Sequence, residues 1–390
     1  MALAAMWLAG RGGFTYVNLD SLLRDPIRFL VLLALPSSVA VVCLVAALLP
    51  RLILTNVAIL VSLIGLLELG AWLLAPAEPL IRGEPEALGA SAFYVPDKSL
   101  GYVMAPSVRA RHRRWVGNRQ IYDVLYQTDA WGRRETPTRA GSKRTSYMLF
   151  FGDSNMFGEG LSQDETLPYY AGEVARSYRP YNYGVSGYGP SHLLVLARRG
   201  GVRQEVAEGE GYAVYYLIPA HLGRVIGSSN VSTSWGRHFP YVVTNGGGEL
   251  VAKGNFVGGR PYTTLGYFLW SKSNLAHYFQ ATLPLWYTKS DYRLTARVLK
   301  ESSRLLGRQL QLRRFVVVIG QVYNDRQRRV ARKLREALLG EKVPYLDYTE
   351  LFNTQDVNYR LAEDDYHNSA LANRTIANRL ILDLRGAAAR

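Results

Sequence analysis

Tyr147-Met148-Leu149-Phe150-Phe151 runs directly into Gly152-Asp153-Ser154-Asn155. An apolar run of this length, ended by a turn signal, reads as a strand buried on both faces in a parallel sheet. Such a strand delivers the next residue to the carboxyl edge of the sheet, where open α/β proteins place their chemistry. Here it delivers the hydroxyl of Ser154. Far downstream, Asp364-Asp365-Tyr366-His367 opens the last helical segment. A carboxylate three residues before a histidine, at a helix start, can turn the imidazole toward that hydroxyl. The set supplies nucleophile, base and orienting carboxylate in the chain order Ser…Asp-His. Asp365 competes with Asp364 for the last role, and the Asp-x-x-His spacing favours Asp364.

From Ser146 onward, strand and helix patterns alternate. Strands are expected at Tyr147–Phe151, Tyr181–Val185, Tyr212–Ile218, Phe315–Gly320 and Pro344–Tyr348. Helices are expected at Leu167–Tyr178, Ser191–Arg199, Leu294–Gln311, Asp325–Leu339 and Ser369–Leu384. This alternation implies a mostly parallel sheet covered by helices on both faces. An insertion at about 226–291 breaks it. That insertion holds a hairpin around Asn245-Gly246-Gly247-Gly248 and an aromatic helical stretch near Thr264–Phe279, either a wall of the site or a surface elaboration.

Residues 146 to 385 resemble the SGNH (GDSL-type) hydrolase superfamily of esterases, lipases and acetyl-transferring enzymes. The first block is Phe151-Gly152-Asp153-Ser154, followed by Phe157-Gly158-Glu159-Gly160. The second is Asn182-Tyr183-Gly184-Val185-Ser186-Gly187-Tyr188-Gly189, and the last is Asp364 to His367. The resemblance implies a three-layer αβα sandwich with Ser154, Asp364 and His367 as catalytic residues. It implies oxyanion donors from the backbone of Ser154 and Gly187. The third block departs from the family's Gly-x-Asn-Asp. After the strand ending near Ile218 comes Pro219-Ala220-His221-Leu222-Gly223-Arg224, with no asparagine. His221 is therefore the expected replacement donor, with Asn324 of Asn324-Asp325 as the other possibility.

Three functions fit the resemblance. One is a serine esterase acting on an O-acyl ester, most plausibly acetyl, of a carbohydrate or lipid. Another is an O-acyltransferase acting on an envelope or extracellular polysaccharide. The third is a non-catalytic membrane scaffold with a degenerate site. None of these readings calls for a cofactor. The single cysteine and the scattered histidines argue against a metal site.

Ahead of this region, Phe29 to Leu49 and Leu52 to Ala75 are each long and apolar enough to cross a bilayer, with Pro50-Arg51 between them. They read as a transmembrane helical hairpin spanning about 29–49 and 52–75, within an N-terminal segment of residues 1–75. This makes the chain a multi-pass inner-membrane protein with membrane lipid as a partner. Glu68, inside the second run, suggests a polar neighbour or a membrane-protein partner. Arginines before the first run favour a cytoplasmic catalytic domain, whereas the resembled envelope enzymes work outside, so the side stays open. Residues 76–145 read as a small β-rich lead-in and 146–390 as the catalytic domain. The net charge of +15 invites a nucleic-acid reading. The basic run Arg326 to Arg335 is, however, interleaved with Val330, Leu334 and Leu338. A solvated helix face fits this run, and attraction to anionic lipid headgroups or an acidic glycan fits the net charge better than nucleic acid.

Overall fold

Strand β1, Ser146–Gly152, is buried along its whole length, with successive side chains sent to opposite faces. Tyr147, Leu149 and Phe151 enter one apolar cluster, while Met148 and Phe150 enter another. The strands that follow are β2 (Tyr178–Gly184), β3 (Glu210–Leu217), β4 (Gln311–Ile319) and β5 (Tyr345–Asp347). Together they form one sheet in the order β5-β4-β3-β1-β2, and every neighbouring pair is parallel. β3 and β4 repeat the alternation: Tyr215 and Val317 face the first cluster, Val214 and Val318 the second. A strand hidden on both faces must read as continuous apolar sequence, which is why this sheet is visible in the composition.

The computed structural model describes residues 38, 41, 51–75, 81–89, 92–139 and 143–388. The chain divides into two compact units. One comprises Met1–Pro79 with Tyr262–Trp286, and the other Leu80–Pro261 with Tyr287–Arg390. In the larger unit, the helices Lys289–Gln309 and Asp325–Gly340 bury Leu299, Leu306, Leu334 and Leu338 in the first cluster. The second helix turns Arg326, Arg328, Arg329, Arg332 and Lys333 to solvent. On the other face, Leu167–Val174 and Ala370–Ala388 supply Leu167, Ala171, Ile376 and Leu380. This is an α/β sandwich with a parallel sheet.

The lead-in belongs to the same unit. Arg109–Val116 and Arg119–Gln127 pair antiparallel, with Ile81–Arg82 and Glu86–Ala87 along the other edge of the first strand. Tyr94–Asp97 and Gly101–Met104 form a separate hairpin. Phe93, Leu100, Met104 and Tyr126 share a core with Phe157, Val185 and Tyr188, the residues just beyond β1 and β2. The hairpin of the insertion, Pro240–Thr244 with Leu250–Asn255, also lies in this unit, but Tyr262–Trp286 does not. The insertion is therefore two elements with different neighbours.

In the smaller unit, Arg51–Leu74 is one helix, of which Ile53–Leu74 is long and apolar enough to cross a membrane. It is one such helix among the described residues. The first run of the expected hairpin, 29–49, lies essentially outside them.

Candidate active site

β1 sits where the strand order reverses, with β2 on one side and β3 on the other. A crevice opens at the carboxyl end of such a strand. There Ser154–Phe157 forms a single helical turn. Asp153 caps it, its Oδ1 accepting from Asn155 N at 3.1 Å. The carboxylate is fully buried, which opposes ionisation, but Arg224 and then His221 outweigh that and hold it far below the usual range. Arg224 donates to Asp153 Oδ2 at 2.8 Å, and His221 Nε2 lies 3.2 Å from the same oxygen.

The far end of the turn is held from the lead-in. The buried guanidinium of Arg134 donates to Phe157 O at 3.0 Å, Gly158 O at 2.6 Å and Leu161 O at 2.5 Å. It lies 4.5 Å from the ring centres of both Tyr126 and Phe157. Burial brings its pKa down to about 10, so it stays charged at neutral pH. From β2, Asn182 Nδ2 donates to Met156 O at 3.1 Å. A Cβ on Gly184 would fall 2.3 Å from Phe157 N, so only glycine lets β2 end against the turn.

His367 Nε2 lies 2.8 Å from Ser154 Oγ, and His367 Nδ1 lies 2.5 Å from Asp365 Oδ1. Ser154 is 7% exposed. The carboxylate on the imidazole is therefore Asp365, whereas the expected Asp364 points away into an exposed ion pair with Arg119. The reason is local. Residues Asp365–Asn368 form a short strand paired with Arg360–Ala362, and the helix begins only at Ala370. In extended backbone, residues two apart share a face, so Asp365 and not Asp364 stands beside His367. Asn368 N donates to Asn155 Oδ1 at 3.1 Å, tying this strand to the nucleophile turn. Burial opposes the imidazolium, but the charges of Glu159, Asp365 and Asp153 outweigh it and push His367 up to about 9. Burial likewise opposes ionisation of Asp365, which His367 and then Arg114 reverse, leaving its pKa lowered.

A cleft of about 650 Å³ opens beside His367, and much of its wall comes from the lead-in: Tyr94, Tyr102, His112, Arg114 and Tyr126. Glu159, Ser186, Gly187, Arg224 and Trp235 complete it. Ser186 Oγ donates to Glu159 Oε2 at 2.7 Å, and Tyr102 OH donates to Ser186 O at 2.6 Å. Gly187 has a φ of 86°, and a Cβ there would strike Tyr102 OH and the Trp235 ring. The backbone at Gly187 therefore reaches the cleft without a side chain in the way.

The expected replacement donor, His221, is not in the cleft. It is 0% exposed, wedged between Asp153 and Tyr215, with Nδ1 3.2 Å from Tyr215 OH. Burial depresses its pKa despite Asp153. A neutral ring can accept from Tyr215 OH at Nδ1, while Nε2 stands near Asp153 Oδ2 without the alignment of a hydrogen bond. Asn324 is a helix cap, its side chain accepting from Gln327 N at 2.9 Å. From the third block, the side chain that does reach the cleft is Arg224, one turn after His221 on the helix Ala220–Ile226.

Sequence reasoning also passed over Arg114 and Glu159. Arg114 could have been found from the strand period. His112 is buried between exposed Arg111 and Arg113, and Arg114 shares its inward face. Among the described residues, no group of three or more His, Cys, Asp or Glu side chains is placed to hold a metal ion.

No family model and no curated protein matches this sequence. Solved structures similar to it are G-D-S-L lipolytic proteins and carbohydrate esterases. A member of the lipolytic G-D-S-L family from Veillonella parvula DSM 2008 is 12% identical, with a TM-score of 0.34 over 60% of this chain and 96% of that one. A carbohydrate esterase whose active site has divergent catalytic and non-catalytic binding functions is also 12% identical, at 0.35 over 79% and 97%. The acetyl xylan esterase Est2A from Butyrivibrio proteoclasticus is 11% identical, at 0.36 over 81% and 86%.

Proposed function

We propose that this chain is a serine ester hydrolase of the SGNH type, acting through an acyl-enzyme on an O-acyl ester of a carbohydrate or lipid. The observation that carries this reading is the continuous array Ser154 Oγ, His367 Nε2, His367 Nδ1 and Asp365 Oδ1, with contacts of 2.8 Å and 2.5 Å. His367 takes the Ser154 proton as Oγ bonds to the ester carbonyl carbon, and Asp365 holds the imidazolium. The negative charge moves onto the carbonyl oxygen, facing the backbone N–H groups of Ser154 and Gly187. Arg224 supplies positive charge on the cleft wall. Collapse breaks the C–O bond, and His367 returns the proton to the leaving alcohol. Water then repeats the sequence on the acyl-serine. Aromatic rings interleaved with charged and hydroxyl groups on the cleft wall suit an ester borne on a sugar.

The apolar helix Arg51–Leu74 anchors the chain in a membrane under the same proposal, because Ile53–Leu74 is apolar over a bilayer-spanning length of 22 residues. A fluorophosphonate probe tests the chemistry. Labelling mapped to Ser154, and lost with ester cleavage in Ser154→Ala, is the expected result. Undiminished hydrolysis by folded Ser154→Ala would overturn it.

A further inference from the structure

Helix Arg51–Leu74 hides a carboxylate and leaves its apolar side chains uncovered. Ile53, Ile59, Leu63, Leu66 and Leu74 are each more than half exposed, whereas Glu68 is 6% exposed. The Glu68 Oε2 accepts from Asn274 N at 2.6 Å, and Oε1 accepts from Ser273 Oγ. Both donors belong to Tyr262–Trp286, which shares a compact unit with this helix. That segment has an apolar surface of its own. Leu265, Leu269, Phe279, Leu285 and Trp286 are each more than half exposed. Its 25 residues include no Asp or Glu and a single lysine, Lys272, so the segment carries little formal charge. Trp and Tyr at its ends, Tyr262 and Trp286, are the side chains that favour the headgroup boundary.

Depth follows from helix geometry. Glu68 lies six residues before the helix end at Leu74, about 9 Å along the axis at 1.5 Å per residue. If Leu74 sits at the boundary of the hydrocarbon, Ser273 and Asn274 meet Glu68 inside it. A lone carboxylate at that depth is costly, and so are unpaired backbone N–H groups in a break between helices. Each satisfies the other here.

We propose that Tyr262–Trp286 is a re-entrant membrane segment, inserted into lipid beside helix Arg51–Leu74 and held there by Glu68. This rests on the membrane reading of that helix. The catalytic unit would then be joined to the membrane unit at Pro79, at Pro261–Tyr262 and at Trp286–Tyr287. Deleting residues 1–79 alone would uncover the segment rather than release a soluble enzyme.

The test uses the full chain carrying Cys43→Ser, with Leu269→Cys or Phe279→Cys added, and Leu339→Cys on the catalytic unit as the exposed reference. Flotation with phosphatidylethanolamine/phosphatidylglycerol vesicles reads the anchor. A membrane-impermeant maleimide, applied in nanodiscs that leave both faces accessible, reads the insertion. Leu269→Cys and Phe279→Cys should react at least about tenfold more slowly than Leu339→Cys, with protection lost in SDS. Glu68→Ala should remove that protection, and Glu68→Gln, which keeps an acceptor oxygen, should retain it. A chain that floats yet reacts at Leu269→Cys and Phe279→Cys as fast as at Leu339→Cys overturns the insertion and leaves the anchor standing. A chain that does not float overturns both. Full protection in Glu68→Ala overturns the role given to Glu68.

Discussion

Arg114 Nε lies 3.7 Å from Asp365 Oδ2, so a strand of the lead-in reaches the carboxylate that holds His367. The same guanidinium lies 3.4 Å from Glu159 Oε1. At 3.7 Å the Arg114 contact is an ion pair and not a hydrogen bond, and among the described residues Asp365 Oδ2 has no hydrogen-bond partner. The lead-in therefore sets the charge around the imidazole as well as walling the cleft.

That arrangement predicts an alkaline pH profile. His367 must be neutral to accept the Ser154 proton, and its pKa is pushed up to about 9. The imidazolium dominates below that value, so kcat/KM should climb about tenfold per pH unit toward neutral-to-alkaline pH and level off near 9. A profile that is flat from pH 7 upward would contradict the charge balance described.

Two substitutions should move this limb in opposite directions. Glu159→Gln removes the leading negative charge on His367, so the limb should fall by about one pH unit. Arg114→Met removes the cation that screens Glu159 and Asp365, so the limb should rise. Both are read from kcat/KM against pH on the same ester. Shifts of the same sign would mean that packing changes, not charge, control His367.

Asp365→Asn should lower kcat by about 10²–10⁴, since the imidazole loses both its orienting partner and the charge that stabilises it. Asp364→Asn should leave kcat nearly unchanged, because its ion pair with Arg119 is exposed and screened by solvent. Equal losses in the two variants would count against the geometry of the strand Asp365–Asn368.

The choice between those two aspartates shows where sequence reading stops. Tyr147–Phe151 was legible because a strand buried on both faces has no alternative but to be apolar. Ser154 followed from its position at the strand's end, and His367 from its place before the last helix. The Asp-x-x-His spacing points to Asp364 only on a helix, and the segment from Asp365 to Asn368 is extended. Its pairing with Arg360–Ala362 is a tertiary fact that no local period encodes. Arg134, 1% exposed, was hidden for a similar reason. A buried arginine looks like any other arginine until the carbonyls or carboxylates it serves are known. Glu68 was conspicuous in its apolar run, but its partners lie more than two hundred residues away.

His221 and Arg224 both touch Asp153, and their substitutions should separate stability from turnover. His221→Ala removes a fully buried ring, leaves Tyr215 OH without its partner and strips one neighbour from a buried carboxylate. Losses of this kind cost about 1–3 kcal/mol each, so the thermal midpoint should drop by several degrees. Arg224 still holds Asp153, and the cleft is untouched, so kcat per folded molecule should stay within about threefold of the parent. Arg224→Ala should also lower the midpoint, because the buried Asp153 carboxylate loses its guanidinium partner and keeps Asn155 N–H and a neutral histidine. Unlike His221→Ala, it should lower kcat by about 10²-fold or more, since the cleft loses its positive charge beside the developing oxyanion. Arg224→Lys, which keeps a cation but not the guanidinium reach, should recover part of that loss. Fluorophosphonate titration counts competent sites in each preparation, so kcat is compared per active molecule. A kcat collapse in folded His221→Ala with normal turnover in Arg224→Ala would reverse the two assignments.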